Sequence, residues 1–522
     1  MTGRGWFRRG GGGQAAAVPR SADPVGEELP SAGLAEPDSA DVKSQVVSGV
    51  RVLLARGLTI RLIGLLGSIA LARLLSPRDF GLLAIGLTLV TFANFVTDVG
   101  MGAQLIRAPD EPARRQLSAV LALQLVIAVI ASVVVSVIVL VLDFGPGGDI
   151  AAALMWIVVL QTVRGPAVIL LERRLQFRRL ALAEVLEAFC YVVAAVSLAT
   201  LGLGVWSVVA ATVLRVSVSA AFLLWKVPDA RVFPRWDFSI LRPLFAFGAQ
   251  FQLASVVVLI RDQSINVLTA ALAGATVLGY WTLAQRVLSL PFLLFESLWR
   301  VSFPGMARLL AAGTNPKKDI EKALALGGLV TALAVTGLSA ASPLLVPAIF
   351  GSQWAAVSVV VPLASLGLIL GGPISAAGAG YLYASGHPGI ITSAQAAEAV
   401  IFIVGLVVLL PGAGVLAHGI LWLLAAWCEA VILGLALRKL ARVRVLRAVA
   451  PPAVLGCAVY ALALLVTPVL PVGLLGGLLL AGGSTALLLL SMRILLAEQL
   501  SQVLKLLRPS RKSASPSEFG AP

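Results

Sequence analysis

Arginine and acidic residues recur inside long apolar runs of this sequence. On insertion scales, a charge at the centre of a bilayer costs roughly 2.5–3.5 kcal/mol, so such residues tend to face a protein interior or a wet cavity. Arginine also suits phosphate, because its planar guanidinium makes bidentate, charge-assisted hydrogen bonds. The pattern therefore predicts a cationic cavity that binds an anionic solute. Its candidate residues are Arg61, Arg164, Arg215, Arg261, Asp262 and Arg286.

Helical rise gives the depth of three of these residues. At about 1.5 Å per residue, Arg286 lies about 12 Å from the start of its run, and Arg261 and Asp262 lie about 10–12 Å from the end of theirs. The two runs are consecutive, so we expect Arg261 and Arg286 to share one cavity with Arg61. The alternative is structural pairing, of Arg261 with Asp262 and of Arg286 with a neighbouring carboxylate.

Two glutamates within apolar runs, Glu398 and Glu429, are candidate sites for a coupling proton or cation. The two histidines, His387 and His418, lie 31 residues apart and are predicted at the membrane interface. The sequence contains no nucleotide-binding motif G-x-x-x-x-G-K-[ST]. We therefore predict no metal site, no bound cofactor and no catalytic residues.

Composition and run length predict the elements that hold these residues. Of 522 residues, 59% are hydrophobic and 12% are charged, whereas soluble domains are typically about 25% charged. A soluble chain of this length could not bury so much apolar surface in one core. Runs of about 20 residues, long enough to span a bilayer, recur along the chain. The fold class predicted is an all-α polytopic membrane protein with fourteen transmembrane helices.

These helices are predicted to form two six-helix bundles, followed by two C-terminal helices. The bundles are suggested by a faint repeat, FGLLAIGLTLVTFANFV from Phe80 and LGYWTLAQRVLSLPFLL from Leu278, offset by 198 residues. Such repeats are common in transporters, with the substrate site between the halves. The predicted divisions are a disordered cytoplasmic tail at 1–46, the N-terminal bundle at 47–226, a cytoplasmic linker at 227–242, the C-terminal bundle at 243–440, helices 13 and 14 at 441–495, and a cytoplasmic tail at 496–522.

The net charge of +15 is concentrated in alternate connections between the runs, such as 172–179 and 438–447. By the positive-inside rule this alternation predicts a cell-membrane protein with both termini in the cytoplasm. Membrane orientation and contact with membrane lipids account for the charge, so nucleic acid is not a predicted partner. One external connection, SPRDFG, breaks the rule, because Arg73 and Arg78 flank it.

The stretch LARLLSPRDFGLLAIGLTLVTFANFVTDVGMGAQLIR resembles the opening of Wzx-type oligosaccharide flippases. These form the polysaccharide transporter branch of a superfamily that also holds the multidrug-and-toxin (MATE) exporters and the lipid II flippase. The shared pattern is L-S-P-x-D-F-G from Leu75, then D-x-G-x-G-x-x-L-I from Asp98. A later segment, ERRLQFRRLALAE, resembles a second family stretch. The resemblance covers roughly 45–440 and is most specific in its first 180 residues.

The resemblance implies two six-helix bundles that work by alternating access. It implies transfer of undecaprenyl-diphosphate-linked oligosaccharide to the outer leaflet for surface polysaccharide export, coupled to a proton or sodium gradient. Polysaccharide assembly proteins would be further partners. The alternatives are a drug or small-solute exporter of the same superfamily, a membrane polysaccharide polymerase or ligase, and a non-transporting scaffold. The arginines argue against an exporter of organic cations, and the short external loops argue against a polymerase or ligase.

Overall fold

The computed structural model describes residues 57, 59–98, 100–107 and 111–497. The predicted tail at 1–46, the beginning of the first predicted helix and nearly all of the tail at 496–522 lie outside the described residues. Every regular element in the described ranges is helical. The helices are α1 (59–74), α2 (Pro77–Asp98), α3 (Met101–Arg107), α4 (Arg114–Leu142), α5 (Gly145–Arg173), α6 (Phe177–Thr200), α7 (Trp206–Lys226), α8 (Phe238–Ala311), α9 (Lys317–Phe350), α10 (Val357–Pro373), α11 (Ala379–Ala384), α12 (Pro388–Ala413), α13 (Leu416–Ala441), α14 (Val445–Val466) and α15 (Leu474–Leu495).

Twelve helices in the described ranges are long and apolar enough to cross a membrane. The predicted all-α polytopic fold class is therefore confirmed. Eleven predicted helices, the second to the sixth and the ninth to the fourteenth, each coincide with one of the twelve. The seventh and eighth both fall within α8, and the first is described only in part. The number fourteen accordingly stays a prediction.

The long helix α8 is interrupted at Gly274, which has φ 78° and ψ 177°. On its N-terminal side Asn266 donates to Thr88 Oγ1 at 3.3 Å. On its C-terminal side Arg286 donates to Ser68 Oγ at 2.7 Å. Thr88 and Ser68 both lie two or more helical turns away from the α1–α2 junction. The two arms of α8 therefore run side by side from the bend toward the same end of the bundle. The loop predicted between the seventh and eighth helices is reduced to this bend.

The start of α2 crosses the start of the second α8 arm at two glycines. A Cβ on Gly81 would overlap the carbonyl oxygen of Ala275, and a Cβ on Gly279 would overlap the carbonyl oxygen of Pro77. These two contacts are reciprocal, and they share the 198-residue offset of the sequence repeat. Contacts nevertheless group the described residues into one compact unit. The division into two six-helix bundles therefore stays a prediction.

Helix α2 begins at a capping box in the SPRDFG connection. Ser76 Oγ accepts from the backbone N–H of Asp79 at 3.2 Å, and Asp79 Oδ2 accepts from the backbone N–H of Ser76 at 2.9 Å. Pro77 takes the first helical position, where a missing N–H costs nothing. We call the end of the bundle that holds this junction the Ser76 end. The opposite end, where α4 and α9 begin and α13 ends, is called the basic end.

Three side chains join α1 to α9 at the Ser76 end, and we call them the Ser76-end clamp (Arg73, Gln353 and Trp354). Arg73 donates to the carbonyl oxygens of Ile349 and Ala348, at 2.8 and 2.5 Å. Gln353 Nε2 and Trp354 Nε1 donate to the carbonyl of Ala72 at 2.7 and 2.8 Å. The last carbonyls of α9 thus accept hydrogen bonds from a side chain of α1, and those of α1 accept hydrogen bonds from side chains that follow α9. Such donors are favourable at a helix C-terminus, where carbonyls lack partners within the helix. The clamp gives a structural role to Arg73, one of the two arginines that broke the charge rule.

Aromatic packing closes the same end. Trp354 is fully buried. Its ring meets Phe80 edge-on at 4.9 Å and Tyr280 at 6.0 Å between ring centroids. Because these three residues come from α2, α8 and the turn after α9, the packing joins the first and second parts of the chain.

At the basic end, three arginines of the first part of the chain, Arg114, Arg115 and Arg174, are paired with carboxylates. Arg174 forms ion pairs with Glu111 at 2.5 Å and with Asp229 at 3.0 Å. Its hydrogen bond lowers the pKa of Asp229 below the usual range. Arg115 lies 2.6 Å from Asp237, the residue that caps α8. Carboxylates therefore compensate the charge of these three arginines.

Candidate functional site

A cavity of about 380 Å³ lies among α1, α2, α5, α6, α7 and the second arm of α8. Three of the arginines predicted for a cationic cavity line it: Arg61, Arg215 and Arg286. Arg61 is on the same face of α1 as Ser68, because seven residues make close to two helical turns. The remaining wall is mostly aliphatic, with Thr212 and Ser289 as further polar groups.

Arg286 is held by a hydroxyl and an aromatic ring. Its Nη1 donates to Ser68 Oγ at 2.7 Å, and Ser68 in turn donates to the carbonyl of Gly64 at 2.7 Å. The guanidinium also lies over the Phe80 ring, 5.4 Å from its centroid. Among the residues that the structure describes, no carboxylate pairs with Arg286. The alternative of a carboxylate partner for Arg286 is thus not seen there, and its charge is directed at the cavity.

Arg215 shares the carboxylate of Glu187 with Arg164. Arg164 Nη1 lies 2.6 Å from Glu187 Oε2 and 3.1 Å from Ser219 Oγ. Arg215 Nη1 lies 3.8 Å from Glu187 Oε1, and its guanidinium stands over the Tyr191 ring at 5.2 Å. Two cations and one anion leave this group with a net positive charge. Arg164 does not line the cavity, so it acts through Glu187.

Glu187 is the site residue that sequence reasoning missed. It follows the basic segment 172–179 closely, which suggests pairing at the membrane interface. The structure instead places it ten residues into α6, about 15 Å along the helix. A depth estimate of the kind made for Arg286 would have found it, because it places Glu187 at membrane depth.

Arg261 and Asp262 are not among the residues that line this cavity. They form an ion pair at 2.8 Å between Arg261 Nε and Asp262 Oδ1, as the structural alternative proposed. Both act electrostatically on Glu398, and Arg261 also acts on Glu429. The structure therefore brings together Arg61 and Arg286 as expected, but it assigns Arg261 and Asp262 to a different group.

A second cavity, of about 500 Å³, lies among α10, α12 and α13, with both candidate glutamates in its wall. Glu398 comes from α12 and Glu429 from α13. Ser375 comes from a π-turn at Ile374–Gly378, a distortion often found at functional sites. Arg61, Arg215 and Arg286 thus line one cavity, and Glu398 and Glu429 line another. Arg164, Arg261 and Asp262 are among the lining residues of neither.

His418 was predicted near a loop at the interface. It is the third residue of α13, close to the loop as expected, but its side chain is fully buried. Its ring stacks on Trp281 at 4.6 Å, and its Nε2 lies 2.9 Å from Thr269 Oγ1. Packing inside the protein therefore shields this histidine from solvent and lipid.

The sequence was compared with known protein families. Residues 70–359, more than half of the chain, match the family model described as "Polysaccharide biosynthesis protein". The chain belongs to this family. One relative, "Succinoglycan biosynthesis transport protein ExoT" of Rhizobium meliloti (strain 1021), is 28% identical over 55% of this chain. That match spans only 58% of the relative's own length.

A second relative is "Lipopolysaccharide biosynthesis protein WzxC" of Escherichia coli (strain K12). It is 24% identical over 63% of this chain and 68% of its own length. Like the first match, it places this chain among proteins named for polysaccharide assembly.

Solved structures show which fold this polysaccharide biosynthesis protein has. "Lipid II flippase MurJ, inward closed conformation" superposes with a TM-score of 0.68 over 85% of this chain and 99% of its own, at 13% identity. An inward-facing MATE family transporter gives 0.54 over 73% of this chain and 94% of its own, at 16% identity. The fold is that of these helical transporters, and the chain is a multi-pass membrane protein.

Proposed function

We propose that this chain is a flippase that moves undecaprenyl-diphosphate-linked oligosaccharide units across the cytoplasmic membrane for export of a surface polysaccharide. The observation that carries the proposal is the cavity where Arg61, Arg215 and Arg286 meet inside a membrane-spanning polysaccharide biosynthesis protein. The names of relatives for succinoglycan, lipopolysaccharide and teichuronic acid biosynthesis support the substrate class. The likeness to the fold of a lipid II flippase supports the mode of action.

The chemistry of the cavity suits the proposed substrate. A diphosphate and its sugars cannot enter hydrocarbon without losing their hydration. Guanidinium groups replace part of that hydration with charge-assisted hydrogen bonds. Arg286 is presented by neutral partners, a hydroxyl and a ring, so a phosphate oxygen can approach it without displacing a carboxylate. The polyprenyl tail would remain in lipid throughout.

Transport would proceed by alternating access between the two ends of the bundle. The positive-inside rule assigns the basic end to the cytoplasm and the Ser76 end to the outside, with both termini cytoplasmic. The Ser76-end clamp would hold the outer side shut while the substrate head enters from the basic end. Release would require Arg73, Gln353 and Trp354 to give up their carbonyl partners.

The acidic cavity would supply the coupling to an ion gradient. Glu398 and Glu429 line one wall, and Arg261 acts on both. Binding of a proton or a sodium ion there would change the charge balance between α8, α12 and α13. Helix α8 also carries Arg286, so it connects the acidic cavity to the substrate cavity.

A second candidate function is export of organic cations. The observation that favours it is the same acidic cavity, since paired glutamates attract a positively charged solute. In that case the acidic cavity would hold the solute, and the cationic cavity would be structural.

Deletion of the gene with analysis of lipid-linked intermediates tests the proposal. The deletion strain should accumulate lipid-linked oligosaccharide on the inner leaflet and lose its surface glycan, and the wild-type gene should restore both. Normal surface glycan in a strain without a redundant transporter would contradict the flippase. Increased sensitivity to cationic dyes with normal glycan would instead support the exporter.

A further inference from the structure

A groove at the basic end of α13 combines an apolar wall with a cationic rim. Its volume is about 680 Å³. We call it the α13 groove. Its wall includes Trp427, Val431 and Leu435, and its rim consists of Arg438, Arg442, Arg444 and Arg447. The groove is distinct from both cavities described above, because it shares no lining residue with either.

The wall residues form a stripe that leads to the rim. Trp427, Val431 and Leu435 follow one another at intervals of four residues, so they lie on one face of α13 over about 12 Å. Their side chains are exposed, at 44%, 59% and 60% of the maximum. In a membrane-spanning helix, exposed apolar residues face lipid chains. Arg438 and Arg442 continue from this stripe at the end of the helix.

Helix α13 ends in a way that brings the other arginines to the rim. Arg442 adopts a left-handed conformation with φ 53°, which is uncommon for a residue other than glycine. Its N–H donates to the carbonyl of Leu437 and stops the helix. The chain then turns into α14, whose first residues include Arg447. The two arginines after the turn are thereby placed beside the two before it.

Positive charge at this rim is not compensated by carboxylates. In the described part of the chain, none of the four guanidinium groups is in an ion pair. An adjoining cavity of about 480 Å³, which shares Arg444 and Arg447, adds Lys317, Lys318 and Lys322. The acidic residue in its lining, Glu321, accepts a hydrogen bond from the backbone N–H of Arg444 at 3.1 Å, through Oε1. This contrasts with the paired arginines 114, 115 and 174 at the same end.

We propose that the α13 groove binds an anionic phospholipid, with its phosphate headgroup on Arg438, Arg442, Arg444 and Arg447 and one acyl chain along Trp427, Val431 and Leu435. The charge of the rim complements a phosphate, and basic pockets between transmembrane helices are suited to anionic headgroups. The apolar stripe next to the rim selects an amphiphile over a free anion. The inference goes beyond the proposed flippase function and does not depend on it.

Lipid binding to the purified full-length chain tests the proposal. Native mass spectrometry would measure retention of dioleoyl phosphatidylglycerol against dioleoyl phosphatidylcholine. We expect a preference for the anionic lipid, and a loss of about tenfold or more in the double variant Arg438→Gln/Arg447→Gln, which removes two phosphate contacts. The matched control is Lys439→Gln/Arg493→Gln. It removes two exposed charges from the same end of the bundle outside the groove, so it should retain the preference.

Gly434→Leu tests the acyl-chain half of the site. Gly434 lines the groove, and a Cβ there would meet only Val445 Cγ1, at 3.8 Å. The larger side chain should occupy the space of the acyl chain without disturbing the fold. We expect it to weaken the binding of dioleoyl phosphatidylglycerol about tenfold. Dihexanoyl phosphatidylglycerol has shorter acyl chains, so its weaker binding should stay unchanged.

Several results would overturn the proposal. Equal retention of the two headgroups, or equal losses in the groove variant and its control, would show that the rim does not bind a headgroup. Complete displacement of phosphatidylglycerol by an equal concentration of inorganic phosphate would assign the groove to a free anion. Stronger binding of undecaprenyl diphosphate than of phosphatidylglycerol would make the groove a substrate entry site instead.

Discussion

Gly81 and Gly279 occupy equivalent places in a reciprocal crossing of α2 and α8, where each helix approaches the other's backbone without an intervening side chain. The crossing connects the most specific sequence motif of the chain, L-S-P-x-D-F-G, with its faint repeat 198 residues later. A final glycine in that motif is therefore required by packing between two parts of the chain.

Replacing either glycine by alanine should destabilise the protein by similar amounts. The added Cβ would overlap a carbonyl oxygen in both cases, and overpacking of this kind typically costs about 1–3 kcal/mol. Thermal unfolding in detergent, followed by tryptophan fluorescence, measures the loss. Gly412→Ala is the control, since nothing lies within 4 Å of a Cβ there. Normal stability of both Gly81→Ala and Gly279→Ala would refute the close crossing.

Arg73→Gln should loosen the Ser76 end, because the variant cannot make both hydrogen bonds to the carbonyls at the end of α9. Hydrogen exchange should become about tenfold faster in peptides that cover 70–76 and 346–354, as expected for the loss of about 1.4 kcal/mol of local stability. Arg78→Gln removes the same charge from the same connection. It should leave exchange unchanged, since no contact of Arg78 with α9 is seen in the described residues. Equally faster exchange in the two variants would show that the loss of a positive charge, and not the loss of the hydrogen bonds, causes the effect.

Substitution of Arg286 should impair transport in proportion to the geometry that is lost. Arg286→Gln should lower substrate affinity roughly 10- to 100-fold, corresponding to one or two charge-assisted hydrogen bonds. Arg286→Lys keeps the charge but loses the planar fork, so it should restore only part of the function. Complementation of surface glycan in the deletion strain is the measurement. Gln285→Ala is the control, because this exposed neighbour does not line the cavity. Full activity of Arg286→Gln would exclude it from substrate binding.

Loss of Glu187 should be partly rescued by loss of Arg164. Glu187→Gln leaves two arginines without their shared carboxylate, whereas the double variant Arg164→Met/Glu187→Gln leaves one. The pair is partly buried, and removing one partner of a pair shielded from water is more damaging than replacing both. A double-mutant cycle on unfolding should give a coupling of about 1–3 kcal/mol. Additive effects would mean that the 2.6 Å contact contributes nothing specific.

Depth along the helix was the part of the site that could be predicted from the sequence. It grouped Arg61 and Arg286 correctly, because both lie well inside apolar runs and the rise per residue is constant. It failed for Arg261, because depth does not give the direction in which a side chain leaves the helix. Arg261 pairs with the adjacent Asp262, while Arg286, on the second arm of α8, donates to Ser68 of α1.

Charge counting had a similar limit. Arg73 looked like an exception to the positive-inside rule, since the rule considers how many arginines a connection has and not what they bind. Its guanidinium satisfies the carbonyls of another helix more than 270 residues away. That partner could not be identified from the sequence, because main-chain carbonyls are present at every position.

The same property of the Ser76-end clamp has an evolutionary consequence. All of its acceptors are main-chain oxygens, at Ala72, Leu75, Ala348 and Ile349. The side chains at those four positions can therefore vary without changing the acceptors. The three donor side chains cannot vary, because each supplies the N–H groups of the clamp. Among orthologues we expect the donor positions to stay fixed while the acceptor positions drift independently. Methods that infer contacts from correlated substitutions would accordingly find no signal from these hydrogen bonds, although they join the two sides of the interface that we propose opens during transport.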